Sequence, residues 1–76
     1  MNWRDHLVTT PDVLHGKLRI KGTRIPVWLI LGYIADGFTK EHILTQFPDL
    51  AEQQIDACIV YACDVMRRKR SPSGRG

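Results

Sequence analysis

The spacing of apolar and polar residues changes period along the chain. Lys17-Leu18-Arg19-Ile20-Lys21 alternates strictly, the two-residue repeat of a strand with one wetted face. Leu7-Val8-Thr9 is a second short strand candidate. Thr10-Pro11-Asp12 and His15-Gly16-Lys17 are turns, the first with φ set by Pro11, and Gly22 ends the alternation. Two such strands can pair, weakly if alone.

After Pro26 the period becomes helical. Residues 26–36 form a first helix, with Pro26 at a position where the missing N–H is harmless and Gly37 as its stop. Val27, Ile30, Leu31 and Ile34 make its apolar stripe. Trp28, Leu29 and Tyr33 lie off that stripe, so the apolar arc is wide enough for a second contact surface. Thr39 is an N-cap for a short helix over residues 40–46, with Ile43, Leu44 and Phe47 as its core face. Pro48 breaks it. A third helix covers residues 51–68, with a capping-box spacing at Asp49 and Glu52. Its stripe is Ile55, Cys58, Ile59, Ala62 and Met66.

The predicted fold is mainly α: a three-helix, helix-turn-helix bundle over residues 26–68 with a short N-terminal β element over 1–25 and a flexible basic tail over 69–76. Seventy-six residues make one domain, small enough that dimerisation is expected to add stability. No run of about 18 apolar residues is present, and the polar, acid-bearing start predicts no secretory signal, so the expected compartment is the cytoplasm. Up to Met66 there are six bases against eight acids, and beyond it five bases and no acid. This asymmetry predicts an anionic partner for the basic end.

Cys58 and Cys63, five apart on one helix, point roughly 140° apart and cannot bridge; Cys58 or Cys63 is expected to fill core space. His6, His15 and His42 lack ligand spacing, so no metal and no cofactor is predicted. No serine precedes Ser71, and neither paired carboxylates nor a phosphate-cradling glycine loop is present, so the chain reads as a binding protein and not an enzyme.

Four constellations have binding chemistry. The second and third helices have the pattern that offers the latter to a DNA major groove, or that of a plain bundle. Gln53 and Gln54 have the amides that read adenine, although Glu52 and Asp56 repel phosphates. Lys17, Arg19 and Lys21 on one strand face, with Arg24 nearby, suit phosphates or an acidic protein surface; the alternative is a charged, protected strand edge. The run Arg67-Arg68-Lys69-Arg70 suits DNA phosphates, an acidic pocket on a partner, or a solvated helix end. Trp3, Trp28, Leu29, Val60 and Tyr61 suit an interface between chains or the completion of a small core.

The segments Thr10-Pro11-Asp12-Val13-Leu14, Gly16-Lys17, Ile20-Lys21-Gly22-Thr23-Arg24-Ile25-Pro26-Val27 and Phe47-Pro48-Asp49-Leu50, with Ile55 and Val60-Tyr61-Ala62, resemble the bacterial family known as domain of unknown function number four hundred and thirty-three. The resemblance covers about residues 6–66, and the run from Lys21 to Val27 is its specific part. It implies a homeodomain-like three-helix fold with a small β element. It also implies a VapB-type antitoxin that neutralises a ribonuclease-like toxin of PIN-related fold and binds its own promoter. Two positions depart from the family pattern: Leu18 stands where proline is usual, and Ala51 where a capping Thr or Ser is usual. Losing that cap costs about 1 kcal/mol unless Asp49 replaces it.

Within that motif, Gly22 permits a turn closed to other residues and Thr23 can accept backbone N–H groups, acting as a lock between hairpin and helix. Arg24 has a fork suited to a carboxylate or to the carbonyls of a neighbouring turn. The expected function is a homodimeric antitoxin. Operator DNA would be read by Gln53, Gln54 and Ala57 and held by Lys40, Arg67 and Arg68. The toxin would be met by Lys17, Arg19, Lys21, Arg24, Trp28, Tyr61 and Arg70, with arginines of the basic end competing with Mg²⁺ for its acidic site. The alternative is a dimeric protein-interaction module without specific DNA binding.

Overall fold

A computed structural model describes residues 1–69, apart from the side chain of Lys69. The strands are shorter than the alternation predicts. β1 (Leu7–Val8) pairs antiparallel with β2 (Arg19–Ile20), in the register Leu7 to Ile20 and Val8 to Arg19. The segment after β2 folds back along it. Ile20 N–H donates to Ile25 O at 2.9 Å and Val27 N–H to Leu18 O at 3.0 Å, so β2 is held on both sides. Leu18, whose carbonyl accepts the second of these bonds, is half-buried against the core.

The turn between them is a polar lock. Gly22 has φ +82°, which only glycine adopts without strain. The Thr23 hydroxyl donates to Ile20 O at 2.8 Å and accepts from Ile25 N–H at 3.0 Å. The Arg19 guanidinium crosses the hairpin, donating to Thr23 O and to Thr10 Oγ1, each at 2.9 Å. Before β2, Leu14, His15 and Gly16 take three successive left-handed conformations (φ 52°, 55° and 78°), a costly turn for the two non-glycine residues.

α1 (Val27–Ala35) begins one residue after Pro26, which stands as its N-cap. It ends at Asp36 and Gly37, whose φ of +93° turns the chain out of the helix. α2 (Lys40–Gln46) has the predicted bounds, and Thr39 Oγ1 accepts the His42 N–H at 3.1 Å as the predicted cap. Residues 47–51 form the turn to α3 (Glu52–Lys69). The expected Asp49–Glu52 box does not close this helix. Ala51 has no capping group, and instead Gln54 Oε1 accepts the Ala51 N–H at 2.8 Å, the return half of a capping box.

The core is small and shared by every element. Ile20 from β2, Ile30 from α1, Ile43 from α2, and Ile55 and Cys58 from α3 are its largest fully buried side chains. Leu7, Val27, Leu50 and Ala57 complete it. Met66, assigned by period to the stripe of α3, is 66% exposed, because the last turns of α3 run beyond the residues that cover Ile55 and Cys58. The structure is therefore a mainly α three-helix bundle with a two-stranded N-terminal sheet. No helix among the described residues is long and apolar enough to cross a membrane.

Candidate binding surfaces

The leading end of α3 is open to solvent but presents little of what was expected of it. Glu52 and Gln53 are exposed. Ala57 is fully buried and cannot face a base: it sits one residue before Cys58, on the side of the helix that packs on the core. Gln54 is half-buried and engaged in the cap, so its amide is not free to read adenine. Lys40 is not free for a phosphate either. Its ammonium is held by Glu52 at 2.8 Å and by Asp56 at 2.9 Å, which ties α2 to α3. These two carboxylates, Glu52 first, accept hydrogen bonds from the ammonium and hold its pKa above the ordinary lysine range.

Arg67 and Arg68 lie at the far end of α3, about 21 Å along the axis from Gln53. Both are exposed, and Arg68 makes an i,i+4 contact with Asp64 at 3.1 Å. An exposed pair of this kind contributes little stability. The residues expected to grip DNA therefore do not converge on one patch. Arg70 lies outside the described residues.

In the N-terminal element, Arg19 leaves the expected cationic face. It is half-buried, and its two terminal nitrogens are bound within the hairpin. Lys17, Lys21 and Arg24 are exposed and make no ion pair among the described residues. The Lys21 N–H donates to His6 O at 2.8 Å.

The predicted aromatic surface divides in two. Trp3 is half-buried. Its ring meets Tyr61 edge-on at 4.9 Å, the Arg4 guanidinium lies 4.3 Å over it, and its indole N–H donates to Asp64 at 3.1 Å. That donor, and then Arg68, hold the Asp64 carboxyl below its ordinary range. Tyr61 is thus engaged within the protomer, although its edge also lines a shallow groove with Lys17, Leu18, Val27, Trp28 and Leu31. Trp28 itself is 60% exposed. On its other side lies a second groove, formed by Leu29, Gly32, Tyr33 and Asp36. Sequence reasoning missed Asp64, Gly32 and Asp36. The four-residue spacing of Trp28, Gly32 and Asp36 is a helical-face signal that could have found the last two.

The cysteines separate as their spacing predicts. Cys58 is a core residue whose thiol is pushed up to about 12 by burial, while Cys63 is exposed. Among the described residues, no three His, Cys, Asp or Glu side chains come together as a metal site.

The family model described as "Protein of unknown function (DUF433)" matches residues 7–62. The chain is similar to "Uncharacterized protein y4eO" of Sinorhizobium fredii, at 32% identity over 59 residues, which is 78% of this chain and 27% of the relative. It is also similar to the crystal structure of a DUF433 member from Anabaena variabilis, with a TM-score of 0.77 and 29% identity over 86% of this chain and 64% of that one. The chain thus spans about a quarter of the curated relative's length. The matched stretch holds both strands, the Gly22–Thr23 lock, α1, α2 and most of α3, and this chain belongs to the DUF433 family.

Proposed function

We propose that this chain is an antitoxin-like protein of a bacterial toxin–antitoxin system: a homodimer that neutralises a PIN-like ribonuclease toxin and binds its own operator DNA. The observation that carries the protein-binding half is where uncompensated positive charge remains. Lys40 and Arg19 are neutralised or bonded internally. Lys21, Arg24 and Arg67 are exposed without an acid partner among the described residues. The segment from Trp3 to His6 bridges these groups, bonded to Asp64 of α3 at one end and to Lys21 at the other. A metal-dependent nuclease gathers carboxylates, and an arginine fork binds a carboxylate in two-point geometry in competition with the metal.

The operator-binding half rests on a narrower feature, the open first turn of α3 with Glu52 and Gln53 exposed. Gln53 is the base-reading group that remains from the expected set. Arg67 and Arg68, about 21 Å along the axis, would meet phosphates away from the bases it reads.

The test uses the full chain, the product of the adjacent reading frame and the DNA upstream of the chain's own gene. The chain suppresses RNA cleavage by the neighbouring product, and the double variant Lys21→Glu, Arg24→Glu weakens that suppression at least about tenfold. Undiminished suppression by the double variant, or a neighbour without ribonuclease activity, overturns the toxin half. Salt-sensitive, sequence-selective gel retardation that Gln53→Ala weakens supports the operator half. Equal retardation of any DNA removes it and leaves a dimeric protein-interaction module.

A further inference from the structure

We infer that two copies of this chain pair through antiparallel α1 helices, the Trp28 of each seated over Gly32 of the other. The inference rests on the homodimer of the reading above and supplies its interface. It begins from an exception. The chain has six Phe, Trp and Tyr rings. Trp3 and Tyr61 form one edge-on pair, and Tyr33 packs edge-on against both Phe38 and Phe47. Trp28 is the remaining ring: it has no aromatic partner among the described residues and is 60% exposed.

The face beside Trp28 is shaped for such a ring. Gly32 lies one helical turn on, so the two share a face. A Cβ built on Gly32 would meet nothing within 4 Å, so the helix has a knob at Trp28 and a hole at Gly32. A two-fold axis crossing α1 midway between them brings each knob to the other copy's hole. One arrangement thus makes two identical contacts, the requirement for a closed, self-complementary dimer.

The polar groups match as well. The groove at Gly32 is walled by Leu29 and Tyr33 and holds one carboxylate, Asp36. An indole has one polar atom, and it is a donor. The chain already makes this pairing once, where the Trp3 indole N–H donates to Asp64 at 3.1 Å. A second tryptophan entering the Gly32 groove finds an apolar bed for its ring and a carboxylate for its N–H. Removing the glycine would close the bed.

Sedimentation equilibrium of the full chain over a concentration series tests the pairing. The unsubstituted chain is a dimer that dissociates on dilution. Trp28→Ala and Gly32→Arg each raise the dimer dissociation constant at least about thirty-fold, the effect of losing an interface hot spot. Asp36→Asn raises it less. Gly32→Arg separates pairing from folding, because arginine favours helix more than glycine and points into open space, so helicity and melting temperature of the monomer are retained. A chain that stays monomeric at all concentrations overturns the inference, even if Trp28 later proves to bind the toxin. Wild-type dimerisation by both Trp28→Ala and Gly32→Arg overturns it too, placing the interface elsewhere. Sedimentation is independent of the ribonuclease and DNA assays, so failure of the pairing and failure of the antitoxin reading register separately.

Discussion

Trp3 and Trp28 are the same residue in the same small domain, yet their surroundings differ in almost every respect. Trp3 comes from an irregular N-terminal turn, but its ring, its N–H and its face all have partners within the protomer. Trp28 comes from the middle of a regular helix, and its ring stands in solvent between two shallow grooves. Regularity of the backbone therefore says little about where a large side chain finds its partners. The first tryptophan closes one end of the bundle. The second leaves an unmatched surface on the helix that holds Ile30 in the core.

This contrast is open to direct test by substitution. The largest expected effect is at Trp3: Trp3→Ala removes the edge-on pair and the bond to Asp64 and lowers stability by about 2–3 kcal/mol. In thermal unfolding this is a fall on the order of 10 °C, whereas Trp28→Ala, measured where the chain is monomeric, shifts stability by less than about 0.5 kcal/mol. Equal losses at the two sites would erase the difference between them. Arg19→Met comes next. It removes both bonds to Thr10 and Thr23 and costs about 1–2 kcal/mol in urea unfolding; a neutral result would mean the guanidinium is not a strut of the hairpin. Gly32→Ala acts in the opposite sense, raising monomer stability by about 0.5–1 kcal/mol, because α1 gains helix propensity and the new methyl meets no neighbour.

The smallest effect is a change of slope with pH. The Asp64 carboxyl is held below its ordinary value of 3.8, first by the Trp3 N–H and then by Arg68, so folding favours its ionised form. That contribution is present above the ordinary value and is lost as pH falls through the lower, folded one. Asp64→Asn retains an acceptor for Trp3 but has no charge to titrate. Its stability deficit relative to the unsubstituted chain should therefore shrink as acid is added. A deficit constant down to strongly acidic pH would separate the Trp3 anchor from the charge on Asp64.

Local pattern alone placed much of this molecule. The period of Val27, Ile30, Leu31 and Ile34, the Thr39 cap, the Pro48 break and the Gly37 stop each depend on residues within a turn or two of one another, and the structure has them at those positions. The cationic strand face and the base-reading set fared differently, because their fate depends on distant residues. Arg19 is bound by Thr10, nine residues away, Lys40 by Asp56, sixteen away, and Trp3 by Asp64, sixty-one away. No periodicity encodes such pairings.

Sequence alone therefore determined the three helices, the hairpin and the family, since hydrogen-bonding period, caps and breakers act over short separations. Tertiary structure decided which charges and rings remain available. A cation that meets a carboxylate across the fold is no longer free for a ligand, as with Lys40, whereas a ring that meets no partner stays exposed, as Trp28 does. The physical reason is that desolvation and pairing depend on neighbours in space, which are settled only once the helices have packed.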